Sequence, residues 1–247
     1  MLLNYLESSY QLGPVTLHLY GMGLVLALVV GLMLAWREAH RKNVDPGIIT
    51  EVVIFLIIGG IIGARLLSVV LNWEQFAADP LYVFRIHEGG LAAFGGIAGG
   101  IAAGMWYTRR KNISFWLLAD IMAPSLALGE ALARLGCDVY GIPAENAPWP
   151  RMVQGLPFHN IPLYMFVGGI LLFAVVWYLR GHLQQRGTLF LAYLAGYFAL
   201  RVIVDYFREP PELGLMNLSQ AGSLALLVVV IAVILLRKRL VSGNLQG

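Results

Sequence analysis

TEVVIFLIIGGIIGARLLSVVL, residues 50–71, holds only two charged side chains in 22 positions, Glu51 at its start and Arg65 well inside it. As a helix this run is about 30 Å long, the thickness of a bilayer's hydrocarbon core. An arginine at such depth costs about 3 kcal/mol on insertion scales and marks a functional position by default. Two other apolar runs carry an arginine in the same way, at Arg134 and Arg201.

Composition assigns the whole chain to the class that this stretch implies. Of 247 residues 59% are hydrophobic and only 13% charged, with mean hydropathy +0.73, a balance foreign to soluble domains. The 28 glycines lie largely inside the apolar runs, which suits close helix packing. A single cysteine, Cys137, excludes an internal disulfide and a cysteine-rich metal site. The net charge of +3 comes from loop arginines and is no argument for nucleic acid as a partner. Residues 1–15 lack Lys and Arg, so a cleavable signal peptide is not expected.

Stretches of spanning length fall at 16–36, 50–71, 89–107, 114–136, 162–179, 188–206 and 217–236. The expected fold is therefore all-α: one transmembrane domain over 1–247, with seven transmembrane helices. Arg37, Arg41 and Lys42 follow the first span, and Arg109, Arg110 and Lys111 the third. Arg180 and Arg186 follow the fifth, and Arg237, Lys238 and Arg239 the seventh. The opposite loops carry only Arg85, Arg151 and Arg208, so the N-terminus is expected outside and the C-terminus in the cytoplasm. Aromatic and acidic residues in the outer segments 72–88 and 137–161 suit the headgroup layer.

On that topology Arg65, Arg134 and Arg201 share the outward half of the membrane, together with Tyr20 of the first span. Glu130 precedes Arg134 by four residues, the favourable order for a helical ion pair. Arg201, Asp205 and Arg208 are spaced to share one helix face. His87 and Glu88 open the third span and His159 precedes the fifth. The four arginines face Glu88, Glu130, Asp138 and Asp205. Either these are structural ion pairs pinning helices, or they form a pocket for an anion such as a lipid phosphate. Asp120, deeper in the fourth span, reads as a packing partner. Gly96, Gly100 and Gly104 form a small-residue ladder for helix approach. Gly89, Gly90, Gly95 and Gly96 would offer backbone N–H groups to an oxyanion.

Five segments in order, from Leu12 to Gln220, carry a resemblance: Gly13-Pro14 to Leu17-His18-Leu19-Tyr20-Gly21; Gly63-Ala64-Arg65; Asp79-Pro80-Leu81-Tyr82 leading to Glu88-Gly89-Gly90-Leu91; Asp120 to Pro124 with Ala133-Arg134-Leu135-Gly136; and Arg201 through Asp205 to Arg208-Glu209-Pro210. The chain resembles the prolipoprotein diacylglyceryl transferases. That family moves the diacylglyceryl unit of phosphatidylglycerol to a cysteine thiol of a lipoprotein signal peptide and releases glycerol phosphate. The resemblance implies a multi-pass enzyme of the bacterial cytoplasmic membrane, without a cofactor. Phosphatidylglycerol, prolipoprotein signal peptides and membrane lipids are its implied partners. The family's signature arginine falls on Arg134, its sixth-span arginine on Arg201, its first-span tyrosine on Tyr20 and its signature's closing glycine on Gly141.

The chain also departs from the family pattern. Phe94 stands where the family has a histidine, Cys137 where it has an asparagine, and the element after Cys137 is shortened to Asp138-Val-Tyr-Gly141. Phe94 cannot accept a proton, so the base that activates the thiol is sought among His159, His87 and Asp205. Arg134, Arg201, His159 and Asp205 are thus the expected catalytic residues. Tyr20, Arg65, Glu130, Arg208 and the glycines Gly89, Gly90, Gly95, Gly96 and Gly141 are expected to serve substrate binding. Two alternatives stand beside this reading: a transferase of the same fold with another lipid or acceptor, and a transporter or scaffold that holds an anionic lipid. Against the last, no inverted repeat is visible and the polar residues gather on one side.

Overall fold

The computed structural model describes residues 9–12, 15–85, 90–135, 137, 139–183, 185–210 and 216–243. They form α1 (Leu19–Arg41), α2 (Pro46–Leu71), the short α3 (Trp73–Ala78), a 3-10 turn (Pro80–Phe84), α4 (Ala93–Arg110), α5 (Phe115–Leu132), α6 (Ile161–Leu179), α7 (Thr188–Asp205) and α8 (Leu218–Gly243). Two small antiparallel hairpins interrupt the helices: β1 (Ser9–Leu12) with β2 (Val15–His18), and β3 (Arg151–Val153) with β4 (Leu156–Phe158). Gln154 and Gly155 turn the second hairpin, both at positive φ, a pairing that matches the twist of the flanking strands.

Among the described residues six helices are long and apolar enough to cross a membrane: α1, α2, α5, α6, α7 and α8. The remaining long helix, α4, is as long as α5 at 18 residues, but its glycines and Arg109–Arg110 lower its hydropathy. The protein is a polytopic helical membrane protein.

Two compact units make up the chain, Met1–Ala35 with Ala119–Gly247, and Trp36–Leu118. The second is built on α2 and α4. Its start is legible locally: Asp45 caps α2 by accepting from the Gly47 N–H at 2.9 Å, and Pro46 occupies the first turn. Further along, α2 and α4 approach until backbone meets backbone. A Cβ on Gly63 would lie 2.8 Å from the Gly99 Cα, and one on Gly59 2.8 Å from the Gly99 carbonyl. The contact face is therefore Gly59 and Gly63 against Gly95 and Gly99, one residue out of register with the ladder expected from Gly96, Gly100 and Gly104, where a Cβ meets looser neighbours. Beyond the glycines Glu51 accepts from the Tyr107 hydroxyl at 2.8 Å and pairs with Lys111 at 2.7 Å, fastening the two helices.

The first unit packs α6 and α7 around Ala123, Ala127, Val176, Leu189 and Tyr193. Here α7 begins without a cap of its own, since Gly187 brings no side chain. Asp120 of α5 supplies it from 67 residues away: its buried carboxylate accepts from the N–H groups of Gly187 at 2.6 Å and Phe190 at 2.9 Å. A carboxylate at a helix N-terminus is stabilised by the helix dipole as well as by the bonds. Asp120→Ala orphans both donors and is expected to lower stability by about 2 kcal/mol. Thermal unfolding of the purified protein in detergent checks it, and an unchanged midpoint would remove Asp120 from this role. Asp120→Asn, whose amide keeps one acceptor oxygen, should fall between the two.

Candidate active site

Helices α5 and α7 each end on an arginine–carboxylate pair one turn apart. On α5 the last turn carries Glu130, and Arg134 follows in the turn after Leu132; an Arg134 amino group donates to Glu130. The hydroxyl of Tyr197, from α7, points to the same Glu130 oxygen at 3.5 Å. Arg134 Nε is buried, and no acceptor reaches it among the described residues. Nη2 is thus engaged by the carboxylate while Nε keeps an unmet demand for an acceptor.

On α7 Arg201 Nη2 donates to Asp205 at 3.0 Å and to the Ser219 hydroxyl at 3.2 Å. Asp205 is fully buried, an expensive place for a charge, and α8 helps to hold it. Ser219 donates to Asp205 Oδ2 at 3.0 Å and Ser223 lies 3.5 Å from the same oxygen, while Asp205 Oδ1 has no donor among the described residues. Asn217 ties the Asp205 and Glu209 carbonyls, and Gln220 the Val202 carbonyl, so the start of α8 is stitched to the end of α7. Tyr197 lies one turn before Arg201 on α7 and places its hydroxyl on Glu130. The helix that carries one pair thus touches the carboxylate of the other.

Tyr197, Asn217, Ser219, Gln220 and Ser223 were not singled out from the sequence. Two signals pointed to them: Tyr197, Arg201 and Asp205 share i, i+4 spacing, and four polar residues cluster at the start of the last apolar run. Arg208 lies past the end of the helix expected to carry it. Helix α7 stops at Asp205, and Arg208, in the turn beyond, pairs with its neighbour Glu209 at 3.3 Å. Gly141 is needed for close approach, since a Cβ there would meet Ile161 at 2.9 Å and the backbone of Phe207. Its N–H donates to the His159 carbonyl at 2.8 Å, and the next N–H, of Ile142, to Phe207 at 3.0 Å. Gly23 on α1 abuts the Leu135 carbonyl, where a Cβ would come to 2.6 Å. Tyr20 lies one turn earlier on α1.

His159 has a defined proton arrangement. The Tyr164 hydroxyl donates its one proton to the Pro148 carbonyl at 2.9 Å, and His159 Nδ1 lies 3.0 Å from that hydroxyl oxygen. Nδ1 must therefore be the donor, which leaves the lone pair on Nε2. The ring also packs on Phe207, with centroids 4.7 Å apart. Burial pushes the imidazole below its usual pKa, so the group is neutral at pH 7.

The second unit holds the other expected residues. Arg65 lies there, almost completely buried and engaged with nearby backbone carbonyls. Phe94, on the first turn of α4, is 79% exposed. Gly95 faces Gly63 in the helix contact, and Gly96 lies on the first turn of α4 beside it. His87, Glu88 and Gly89, with Asp138, fall outside the described residues.

A multi-pass helical membrane protein with two arginine–carboxylate pairs, one of them with an unused guanidinium donor, beside a tyrosine is chemically suited to a lipid-borne anion. The chain belongs to the prolipoprotein diacylglyceryl transferase family, whose model matches residues 8–237. It is similar to phosphatidylglycerol–prolipoprotein diacylglyceryl transferases of several bacteria. With that of Synechococcus elongatus it shares 33% identity over 87% of this chain and 81% of the relative. For Halalkalibacterium halodurans the figures are 33%, 91% and 83%, and for Bacillus cereus 33%, 94% and 92%.

Proposed function

We propose that this protein transfers the diacylglyceryl unit of phosphatidylglycerol to the lipobox cysteine of a prolipoprotein signal peptide, releasing glycerol phosphate. The observation that carries the reading is the uncommitted Nε of the partly buried Arg134, in a family member that spans 92% of a relative's length. In the reaction the cysteine thiolate attacks the glycerol carbon that bears the phosphate. The sulfur–carbon bond forms as the carbon–oxygen bond breaks, and the phosphodiester, with one negative charge, becomes a monoester tending to two. Arg134 and Arg201 stabilise that growing charge from fixed positions in a low-dielectric site. Glu130 and Asp205 orient them, and Tyr197 and Tyr20 donate hydrogen bonds to the lipid. Arg208 draws the headgroup from the outer surface.

The thiol must lose its proton before it attacks, because the thiolate is the nucleophile. In this proposal the proton goes to His159 Nε2. Since burial lowers the His159 pKa, the neutral base is present at pH 7 and is lost as pH falls through a value below about 6.5. The expected profile of kcat/KM is an acid limb centred below about pH 6.5 that levels off at higher pH, and His159→Gln should abolish that limb along with most of the rate. A limb that persists unchanged in His159→Gln would assign the base elsewhere.

The proposal extends to topology. The chain acts as one transferase domain with seven spans, α4 the seventh, in the bacterial cytoplasmic membrane. Its N-terminus is outside, its C-terminus in the cytoplasm, and the site faces outward. The basic loops support this orientation. The decisive assay is transfer of labelled diacylglyceryl from phosphatidylglycerol to a lipobox peptide by the purified protein. Transfer that requires the peptide cysteine supports the proposal; none, from folded protein that binds the lipid, refutes it. Phe94 and Cys137, at positions where the family pattern has histidine and asparagine, favour a second reading in which the lipid or acceptor differs. Competition among phospholipid headgroups in the same assay separates the two.

A further inference from the structure

The carbonyl partners of Arg65 form a set that a phosphate ligand would not need. Its Nε donates to the Val83 carbonyl at 3.0 Å and Nη1 to the Gly90 carbonyl at 2.9 Å. Nη2 donates to the Tyr82 carbonyl and lies 3.4 Å from that of Arg85. The guanidinium is centred 4.9 Å from the rings of both Phe76 and Tyr82. One buried side chain on α2 thus gathers the segment between α2 and α4 from both of its ends. Gly90, at φ +69°, is shaped to this contact, because a Cβ there would come within 2.8 Å of Arg65 Nη1. The Ala92 N–H, donating to the Ala64 carbonyl at 3.1 Å, closes the segment onto the residue next to Arg65.

The other face of the same segment is apolar and uncovered. Trp73, Leu81 and Phe84 are 66%, 67% and 79% exposed. They continue directly from Val70 and Leu71, the exposed apolar end of a membrane-spanning helix, so they lie at the level of the bilayer surface. Aromatic and aliphatic residues at that level partition into the headgroup–acyl boundary. Phe76, on the same segment, is instead buried against Arg65.

We propose that Arg65 is a positioning residue: it fastens the arm between α2 and α4 through backbone carbonyls, and the arm docks Trp73, Leu81 and Phe84 into the lipid interface. Lysine keeps the charge but, as a point cation on a flexible stem, cannot cover a fan of carbonyls and two rings at once. Arg65→Lys and Arg65→Ala should therefore behave alike, which a phosphate-binding role would not give.

The test is a nitroxide label at Leu81→Cys or Phe84→Cys in the full chain, with Cys137→Ser, reconstituted in phosphatidylglycerol-containing vesicles. With Arg65 present the label should be immobilised and relaxed by oxygen more than by an aqueous nickel chelate. Both Arg65 variants should add a mobile, chelate-accessible component. Gly90→Ala, which crowds the guanidinium without removing it, should do the same if the Arg65 variants fail to fold. Unchanged spectra, or a label already water-exposed beside Arg65, would overturn the proposal. The kinetic counterpart rests on the proposed transfer: Arg65→Lys should lower kcat about tenfold and leave KM for phosphatidylglycerol within about twofold. A raised KM with unchanged kcat would return Arg65 to the phosphate. The spectra do not depend on turnover, so they stand or fall apart from the transferase reading.

Discussion

Arg134→Ala is expected to lower the rate of diacylglyceryl transfer by about three orders of magnitude, and Arg201→Ala by a similar factor. Each guanidinium brings what a departing phosphate requires: a position fixed by its carboxylate, a partly buried setting, and donors left over after that carboxylate is satisfied. Arg134 has a buried Nε with no acceptor, and Arg201 spends only Nη2 on Asp205 and Ser219 among the described residues. The effect should fall on kcat more than on KM, because the charge that matters develops in the transition state. Removing Arg134 also strands Glu130, half-buried beside it, so loss of activity could reflect disturbed packing. The double variant Arg134→Ala with Glu130→Gln removes that charge and should restore the melting temperature without restoring transfer. Arg134→Lys should recover little, since an ammonium that pairs with Glu130 has no second planar edge for phosphate. Near-normal turnover in Arg134→Ala would refute the assignment.

Gly99→Leu is expected to destroy the packing of α2 against α4. A Cβ on Gly99 would sit 2.9 Å from the Gly63 Cα and 3.1 Å from the Gly59 carbonyl carbon, and backbone atoms cannot rotate aside as a side chain can. Overpacking commonly costs 1–3 kcal/mol where side chains yield, so about 3 kcal/mol or more is expected here. In a membrane this contact has little hydrophobic drive to compensate, because helix association there relies on close van der Waals fit. The measurement is the thermal midpoint and monodispersity of the purified protein, with Gly222→Ala as control. Gly222 has open space where its Cβ would go, so that variant should be neutral or slightly stabilising. A Gly99→Leu protein as stable as its parent would mean that α2 and α4 do not meet on this face.

What the sequence determined by itself is local or additive. Apolar runs of spanning length, the capping residue Asp45, and the i, i+4 pairs Glu130–Arg134 and Arg201–Asp205 all depend on neighbours within one or two turns. In each case one helix holds both partners, so spacing alone predicts contact. Tertiary structure decided how those arginines are used. Residue type and depth group Arg65 with Arg134 and Arg201, but spacing does not show that it reaches carbonyls 17 to 25 residues away. Every residue has a carbonyl, so such a partner leaves no mark in the sequence. The cap that Asp120 lends to α7, the α8 serines on Asp205, and the register of Gly63 against Gly99 were likewise hidden. Each depends on which residues of distant segments meet, and apolar patterning shows that a face is buried without showing against what.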